Sequence, residues 1–407
     1  MNTQQAIIDF IKIQIKDTEY ENKVFIAGGY VRDTLLKRES KDIDLTVDQF
    51  EGGIKFSKWI TDKLNIQTPS NPLTFPNFGT SKFNFRGIRH TGFDISTIDI
   101  ECVSPRKEEY TPGNRKPKVS PGTIKDDVYR RDFTVNSLLY NISTGKILDI
   151  TGKGISDLKL GIIRTTKDAD SIFKEDGLRL LRAIRFSAKY GWSIDNEVME
   201  AIINNASQIK NISKERIQEE FNKMFKIQNT AKAFNLIRRT GLGEIIMPEV
   251  NITVEKLNLI QKATDPRVKI AILFHDLKKG TIEEILKRLK YPNDVVGKIA
   301  NAVALQSFFN NGVSDKRILQ FRRIAGKHAS VTLDLIDALN LPVDVDKIRS
   351  RLQQMKSIPI QPPVGGQDLI AMGMKPGPQF KDILSKIQDA FEANPNISKE
   401  ELLSLVK

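Results

Sequence analysis

The chain has 407 residues, 40% of them hydrophobic, and 63 basic against 50 acidic side chains, which leaves a net charge of +13 and a pI near 9.5. That length implies two to four domains, and the basic balance favours a polyanionic partner, nucleic acid rather than a membrane, since no apolar run approaches a transmembrane span. A single cysteine, Cys102, excludes an internal disulfide framework and a Cys-rich zinc site, and three histidines leave little room for histidine chemistry. The first residues mix acids with bases and carry no apolar leader core, so a cytoplasmic location is expected.

In chain order, residues 5–16 have the period of an amphipathic helix. "VFIAGG" (24–29) then predicts a buried strand ending in glycines, "VRDTLL" a helix and "DIDLTV" a second strand. Further strands are expected at "SKFNFRGI", "TIDIECV" and "KILDI". After about residue 155 long helical periods dominate, as in "SIFKEDGLRLLRAIRFSAKY" and "KERIQEEFNKMF". The expected fold class is therefore α+β: a mixed head with a small sheet, followed by an all-α remainder. Seams are placed near residues 151–154, near 230 and in the Pro/Gly-rich stretch 358–367, giving segments 1–150, 151–230, 231–357 and 358–407. "AILFHDLKKG" contains a His-Asp pair, but a metal phosphohydrolase site needs more histidines than His90 and His328 supply, so a satisfied helix residue is the expectation.

Three clusters carry chemistry. In "GGYVRDTLLKRESKDIDL" a strand through Asp42 and Asp44 projects both carboxylates to one side, with Ile43 turned into the core. Two carboxylates so close repel each other unless a cation joins them, and Mg²⁺ suits one or two carboxylates plus substrate phosphates. Gly28 and Gly29 allow a close backbone approach to a triphosphate whose oxygens Arg32 can neutralise. The second cluster, "RRDFTVNSLLYN", offers Arg131 for phosphate oxygens and Asp132 for a ribose hydroxyl. Between the two, Glu101 lies on a strand-like run as a possible third acid, with Asp99 on the same face as its competitor. The third cluster, "EDGLRLLRAIRF", repeats Asp176, Arg179, Arg182 and Arg185 every third residue. On one α-helix each such step drifts by roughly 60°, so these groups have different tasks. Any one of these features alone is an ordinary solvated face or salt bridge.

Together, "GGYVRD…DID", "RRDFTVNS", "GISDLKLGIIRT", "EDGLRLLRAIRFSAKYGWSID" and "ISKERIQEEF" resemble, in that order, the class II tRNA nucleotidyltransferases, the CCA-adding enzymes, within the poly(A) polymerase superfamily. The tail "GGQDLIAMGMKPGPQFKDIL" is similar to theirs. The resemblance implies a catalytic head (1–150), a helical neck with the base-reading helix (151–230), a body (231–357) and a tail contacting tRNA (358–407). It also implies tRNA, CTP and ATP as substrates and Mg²⁺ as cofactor. Asp42 and Asp44 fall on the family's metal ligands, with Glu101 as a further catalytic acid. Gly28, Gly29, Arg32, Arg131 and Asp132 fall on the nucleotide site, Asp176 and Arg179 on the base-reading pair, and Arg182 and Arg185 on further nucleotide contacts.

The implied reaction is attack of an RNA 3′-hydroxyl on the nucleotide α-phosphate, with two metals roughly 4 Å apart lowering the hydroxyl's pKa and stabilising the leaving oxygen. Cytosine and adenine both present an amino donor beside a ring-nitrogen acceptor. An Asp176–Arg179 pair therefore accepts either base and rejects uracil and guanine, with about 1–3 kcal/mol of discrimination. A poly(A) polymerase, an enzyme adding only CC or only A, and an inactive RNA-binding protein are the alternatives. Residues 107–127 are expected to supply the mobile loop of a full CCA adder. Oligomeric state is not legible in these features.

Overall fold

In a computed structural model, which describes residues 2–40, 42–76, 79–109 and 118–406, the apolar run β1 (Val24–Ala27) and the alternating run β2 (Ile43–Val47) pair as neighbours. β1 is buried throughout, whereas β2 keeps Ile43 and Leu45 inside and Asp44 exposed. Next come β3 (Leu73–Phe75), β4 (Thr80–Phe83), a short hairpin of β5 (Arg89–His90) and β6 (Phe93–Asp94), and β7 (Ile100–Val103). A second hairpin, β8 (Arg106–Glu109) with β9 (Lys118–Pro121), precedes β10 (Leu139–Asn141) and β11 (Ile147–Leu148). Part of the expected mobile loop, residues 110–117, lies outside the described residues.

Seven of these strands form one sheet in the order β11-β10-β1-β2-β7-β4-β3. Within this sheet only β2 and β7 run parallel, and their register sets Asp44 opposite Glu101 and Leu45 opposite Cys102; outside it, among the described residues, Ile162–Ile163 and Ser193–Ile194 form a further short parallel pair in the otherwise helical part of the chain. A parallel pair requires a crossover, and this one includes an amphipathic helix that buries Phe56 and Ile60. An edge-to-face aromatic row, Phe56–Phe83–Phe85–Phe10, ties that helix to the N-terminal helix α1 (Thr3–Ile15). The helix between β1 and β2 is α2 (Gly29–Leu35), and the crossover helix is α3 (Gly52–Lys63). After β9 follow α4 (Ile124–Tyr129), α5 (Gly154–Leu160), α6 (Ala169–Glu175) and α7 (Leu178–Tyr190).

The single helical period expected over 171–190 is broken. Asp176 is extended (φ −147°, ψ 102°), and α7 starts afresh from Gly177. Gly177 passes so close to Gln208 that a Cβ there would lie 2.7 Å from its carbonyl oxygen. This close approach redirects the chain, and apolar periodicity does not register it. Asp176 therefore stands off the helix that carries the three arginines, and it caps that helix by accepting the Leu178 N–H at 3.0 Å.

The chain divides into two compact units, Met1–Ser213 with Leu236–Ile246, and Lys214–Asn235 with Met247–Lys407. The second unit is helical, with one apolar cluster around Phe309, Phe321 and Ile348 and another around Leu369, Ile387, Phe391 and Leu402. No helix among the described residues is long and apolar enough to cross a membrane.

Candidate active site

The turn from β1 into α2 is built on Gly28, whose φ of +70° suits glycine. A Cβ at Gly28 would meet Nη1 of Arg131 at 3.3 Å, and one at Gly29 would meet Nη2 of Arg32 at 3.6 Å. The two arginines expected at the phosphates thus converge on the glycine turn. Arg32 is 5% exposed and uses three of its five N–H groups within the protein. Nε and Nη2 donate to Asp33 at 2.9 and 2.8 Å, Nη1 donates to Asn136, and the guanidinium lies 5.2 and 5.0 Å from the Phe186 and Tyr190 ring centres. The Tyr190 hydroxyl in turn donates to Asp33 at 3.0 Å.

Asp42 precedes β2, Asp44 lies within it, and Glu101 is Asp44's partner on β7; all three are exposed. Although Asp44 keeps solvent access, the protein around its carboxyl pushes its pKa up to about 6. Repulsion from Glu101 and, less strongly, Asp42 adds to this desolvation, while Arg131 opposes it. Asp99 is drawn elsewhere, accepting Lys82 Nζ and Asn84 Nδ2 at 3.0 Å each. Of the two competing acids, Glu101 is thus the one beside Asp44. Among the described residues no three His, Cys, Asp or Glu side chains converge at metal-ligand distance. An all-oxygen donor set whose mutual repulsion raises Asp44 nevertheless fits a hard divalent cation completed by phosphate and water.

Arg131 is braced from α4. Its Nε and Nη2 donate to Asp127 Oδ2 at 3.2 and 2.8 Å, and Arg130 donates to Oδ1 of the same carboxylate. Asp132 accepts the Phe133 N–H and Asn136 Nδ2 on Oδ1, and Arg182 Nε and Nη2 on Oδ2. Those four bonds occupy its four lone-pair directions, so a ribose contact requires one of these partners to release it. Burial works against ionisation of Asp127 and Asp132, yet the guanidiniums of Arg131 and Arg130, and of Arg182, hold both carboxyls below the ordinary range.

Arg179 is also built in. It donates from Nη1 to Glu175 at 2.8 Å and to the Ile172 carbonyl at 3.2 Å, and from Nη2 to the Arg130 carbonyl at 2.7 Å. Arg185 lies 4.5 Å from the Phe186 ring centre, and Arg182 lies 5.5 Å from it. All twelve site residues expected from sequence lie in the first compact unit. Sequence reasoning missed the carboxylates that hold the arginines, Asp33, Glu175 and Asp127, together with Asn136, which joins Arg32 to Asp132. Asp33 and Asn136 stand inside quoted motifs and were within reach. Asp127 stood at the end of a stretch that looked like loop.

Comparison with known proteins gives consistent results. Residues 24–164 match the family described as "Poly A polymerase head domain", residues 191–253 the one described as "Probable RNA and SrmB- binding site of polymerase A", and residues 261–402 the one described as "tRNA nucleotidyltransferase domain 2 putative". The chain is 35% identical over 262 residues to tRNA nucleotidyltransferase cca1 of Schizosaccharomyces pombe, a match covering 63% of this chain and 52% of that protein. The chain thus spans about half the length of that relative, and 60% of cca2 from the same yeast. The CCA-adding enzyme of Lactobacillus helveticus is 27% identical over 393 residues, 92% of this chain and 90% of the relative. Among solved structures, the Bacillus stearothermophilus CCA-adding enzyme in complex with CTP superposes with a TM-score of 0.73 at 22% identity, covering 100% of this chain and 97% of that one. The Thermotoga maritima CCA-adding enzyme complexed with tRNA gives 0.64 at 19% identity, covering 94% and 90%.

Proposed function

We propose that the chain is a member of the superfamily of class II CCA-adding enzymes and poly(A) polymerases and that it adds C, C and A to the 3′ end of tRNA without a nucleic-acid template. The observation that carries this reading is the juxtaposition of Asp44, Glu101 and the braced Arg131 at the Gly28 turn. Acidic groups for a cation and basic groups for a polyphosphate stand side by side there, which an RNA-binding surface without chemistry would not need.

In the reaction the RNA 3′-oxygen forms a bond to the α-phosphorus of CTP or ATP, the bond from that phosphorus to the bridging oxygen breaks, and pyrophosphate leaves. Asp42 and Asp44, with Glu101 beside them, would hold Mg²⁺, which when bound supplies charge neutralisation at the α-phosphate and lowers the pKa of the attacking hydroxyl. Gly28 and Gly29 let the backbone approach the triphosphate, and Arg32 and Arg131 take its oxygens. Arg182, fixed by Asp132, stands at the sugar side, and Arg185 adds positive charge along the same helix. Asp176 and Arg179 read the pairing edge of the base. The division into head, neck, body and tail and a cytoplasmic location belong to the same proposal; two of the relatives are mitochondrial enzymes, and cell fractionation decides the compartment.

The test offers tRNAs ending before CCA, after C and after CC, together with an unrelated RNA, each with single and mixed nucleotides, and sequences the products. CCA restored on each tRNA and nothing added to complete tRNA is the expected result. Long A tracts on unrelated RNA would establish the poly(A) polymerase alternative, and products stopping at CC, or growing only from CC, would establish a partial adder.

A further inference from the structure

We propose that Asp127 is a positioning residue that aims one edge of Arg131 at the nucleotide's phosphates, an inference resting on the phosphate role proposed above for Arg131. Asp127 has no exposed surface and divides its oxygens between two guanidiniums, Oδ1 to Arg130 and Oδ2 to Arg131. The contacts to Arg131 use only its Nε–Nη2 edge, at 3.2 and 2.8 Å. Its Nη1 makes no hydrogen bond among the described residues and lies 3.3 Å from where a Cβ on Gly28 would sit. A planar guanidinium fixed along one edge presents its other edge in one direction, and it loses less rotamer freedom on meeting a phosphate than an untethered side chain does.

Asp127 and Glu108 together pair with three guanidiniums, those of Arg106, Arg130 and Arg131, which leaves a net positive charge for an anion. The second arm reaches further. Arg130 also donates to Glu108 of β8 at 3.4 Å, and its carbonyl accepts Arg179 Nη2 at 2.7 Å. Asp127 thereby also steadies the backbone on which the base-side arginine rests. None of the motifs that located the site includes Asp127.

In the full-length protein, Asp127→Asn sets an amide N–H against one of the two arginines and is expected to swing Arg131 out of aim. Equilibrium dialysis with labelled CTP, and KM for CTP and ATP at saturating tRNA, should both weaken about ten- to hundredfold, the scale of one misdirected charge-assisted hydrogen bond. The loss should be equal for the two nucleotides, with tRNA affinity unchanged, and Asp127→Glu should recover part of it. A purely structural ion pair predicts instead a lower Tm and a smaller active fraction with CTP affinity and KM unmoved; that result overturns the proposal. Arg131→Lys keeps the charge but cannot bond Asp127 and a phosphate along opposite edges, so it tests the same claim if Asp127→Asn does not fold, and wild-type CTP affinity in it also overturns the proposal. Wild-type protein that binds CTP but extends no RNA refutes the proposed reaction and leaves the dialysis comparison standing. Wild-type protein that binds no CTP refutes both.

Discussion

Buried charge is used in opposite ways in the two compact units. In the second unit Lys256 is 2% exposed and donates to the carbonyls of Asn251 and Leu273 at 2.9 and 3.0 Å and to Asp276 at 2.7 Å, which exhausts its three N–H groups. Lys269, also buried, donates to the Ile227 carbonyl and Thr230 Oγ1. These ammoniums satisfy helix ends and loops and leave little for a ligand. In the first unit the cations at the site are arginines, and the Asp127 carboxylate holds Arg131 by one edge so that part of its fork stays available. A point charge surrounded by acceptors is structural, whereas a planar fork can be anchored and still bind. The net charge of +13 therefore does not say how many cations can meet nucleic acid.

The sharpest way to break this contrast is Asp44→Asn. It should lower nucleotide transfer about a hundred- to thousandfold, the scale of losing a preorganised electrostatic group, while raising stability at neutral pH. The sign follows from linkage. The folded-state pKa of Asp44, about 6, lies above its ordinary 3.8, so the folded state holds the proton more tightly. The stability contributed by the protonated group is fully present below pH 4 and lost as pH rises through about 6. Thermal melts without divalent cation should therefore show the variant level with wild type below pH 4 and increasingly more stable between pH 4 and 6. A gap that does not change with pH would show that Asp44 is not strained by its neighbours.

On the other side of the comparison, Lys256→Met leaves two carbonyls without their donor and should cost about 2–4 kcal/mol in denaturant unfolding. KM for CTP of the folded protein should stay at the wild-type value, and a raised KM would mean that this buried lysine reaches the chemistry after all. Asp176→Asn keeps an oxygen for the Leu178 N–H and so spares the helix start. Discrimination against UTP and GTP should nevertheless fall by about 1–3 kcal/mol, measured by four-nucleotide competition; unchanged selectivity would remove base reading from Asp176. Arg179 is the poorer probe, because its bonds to Glu175 and two carbonyls mix stability with recognition. The smallest effect belongs to Arg351→Ala, which breaks an exposed ion pair with Asp315 and should cost about 0–1 kcal/mol; a larger loss would mean that the surface of the helical unit is more strongly coupled than exposed pairs allow.

Much of this was legible in the chain itself. The period-two pattern through Ile43 and Leu45 identified β2 and the face on which Asp44 stands, because alternation in a strand is a local property. The apolar periods after residue 155 identified a helical remainder for the same reason. What spacing could not decide were matters of register and partner. Glu101 rather than Asp99 stands beside Asp44 because β2 and β7 pair in parallel at one register, while Lys82 and Asn84 occupy Asp99. Asp176 left its helix because Gly177 must pass the Gln208 backbone. Asp127 became the brace of Arg131 because folding took both of its oxygens out of water, where a carboxylate is tolerable only when paired. Short-range steric and hydrophobic periodicities were thus determined by the sequence alone, whereas the pairing of charges was decided only when distant segments met in a desolvated layer, where each buried group requires one particular partner.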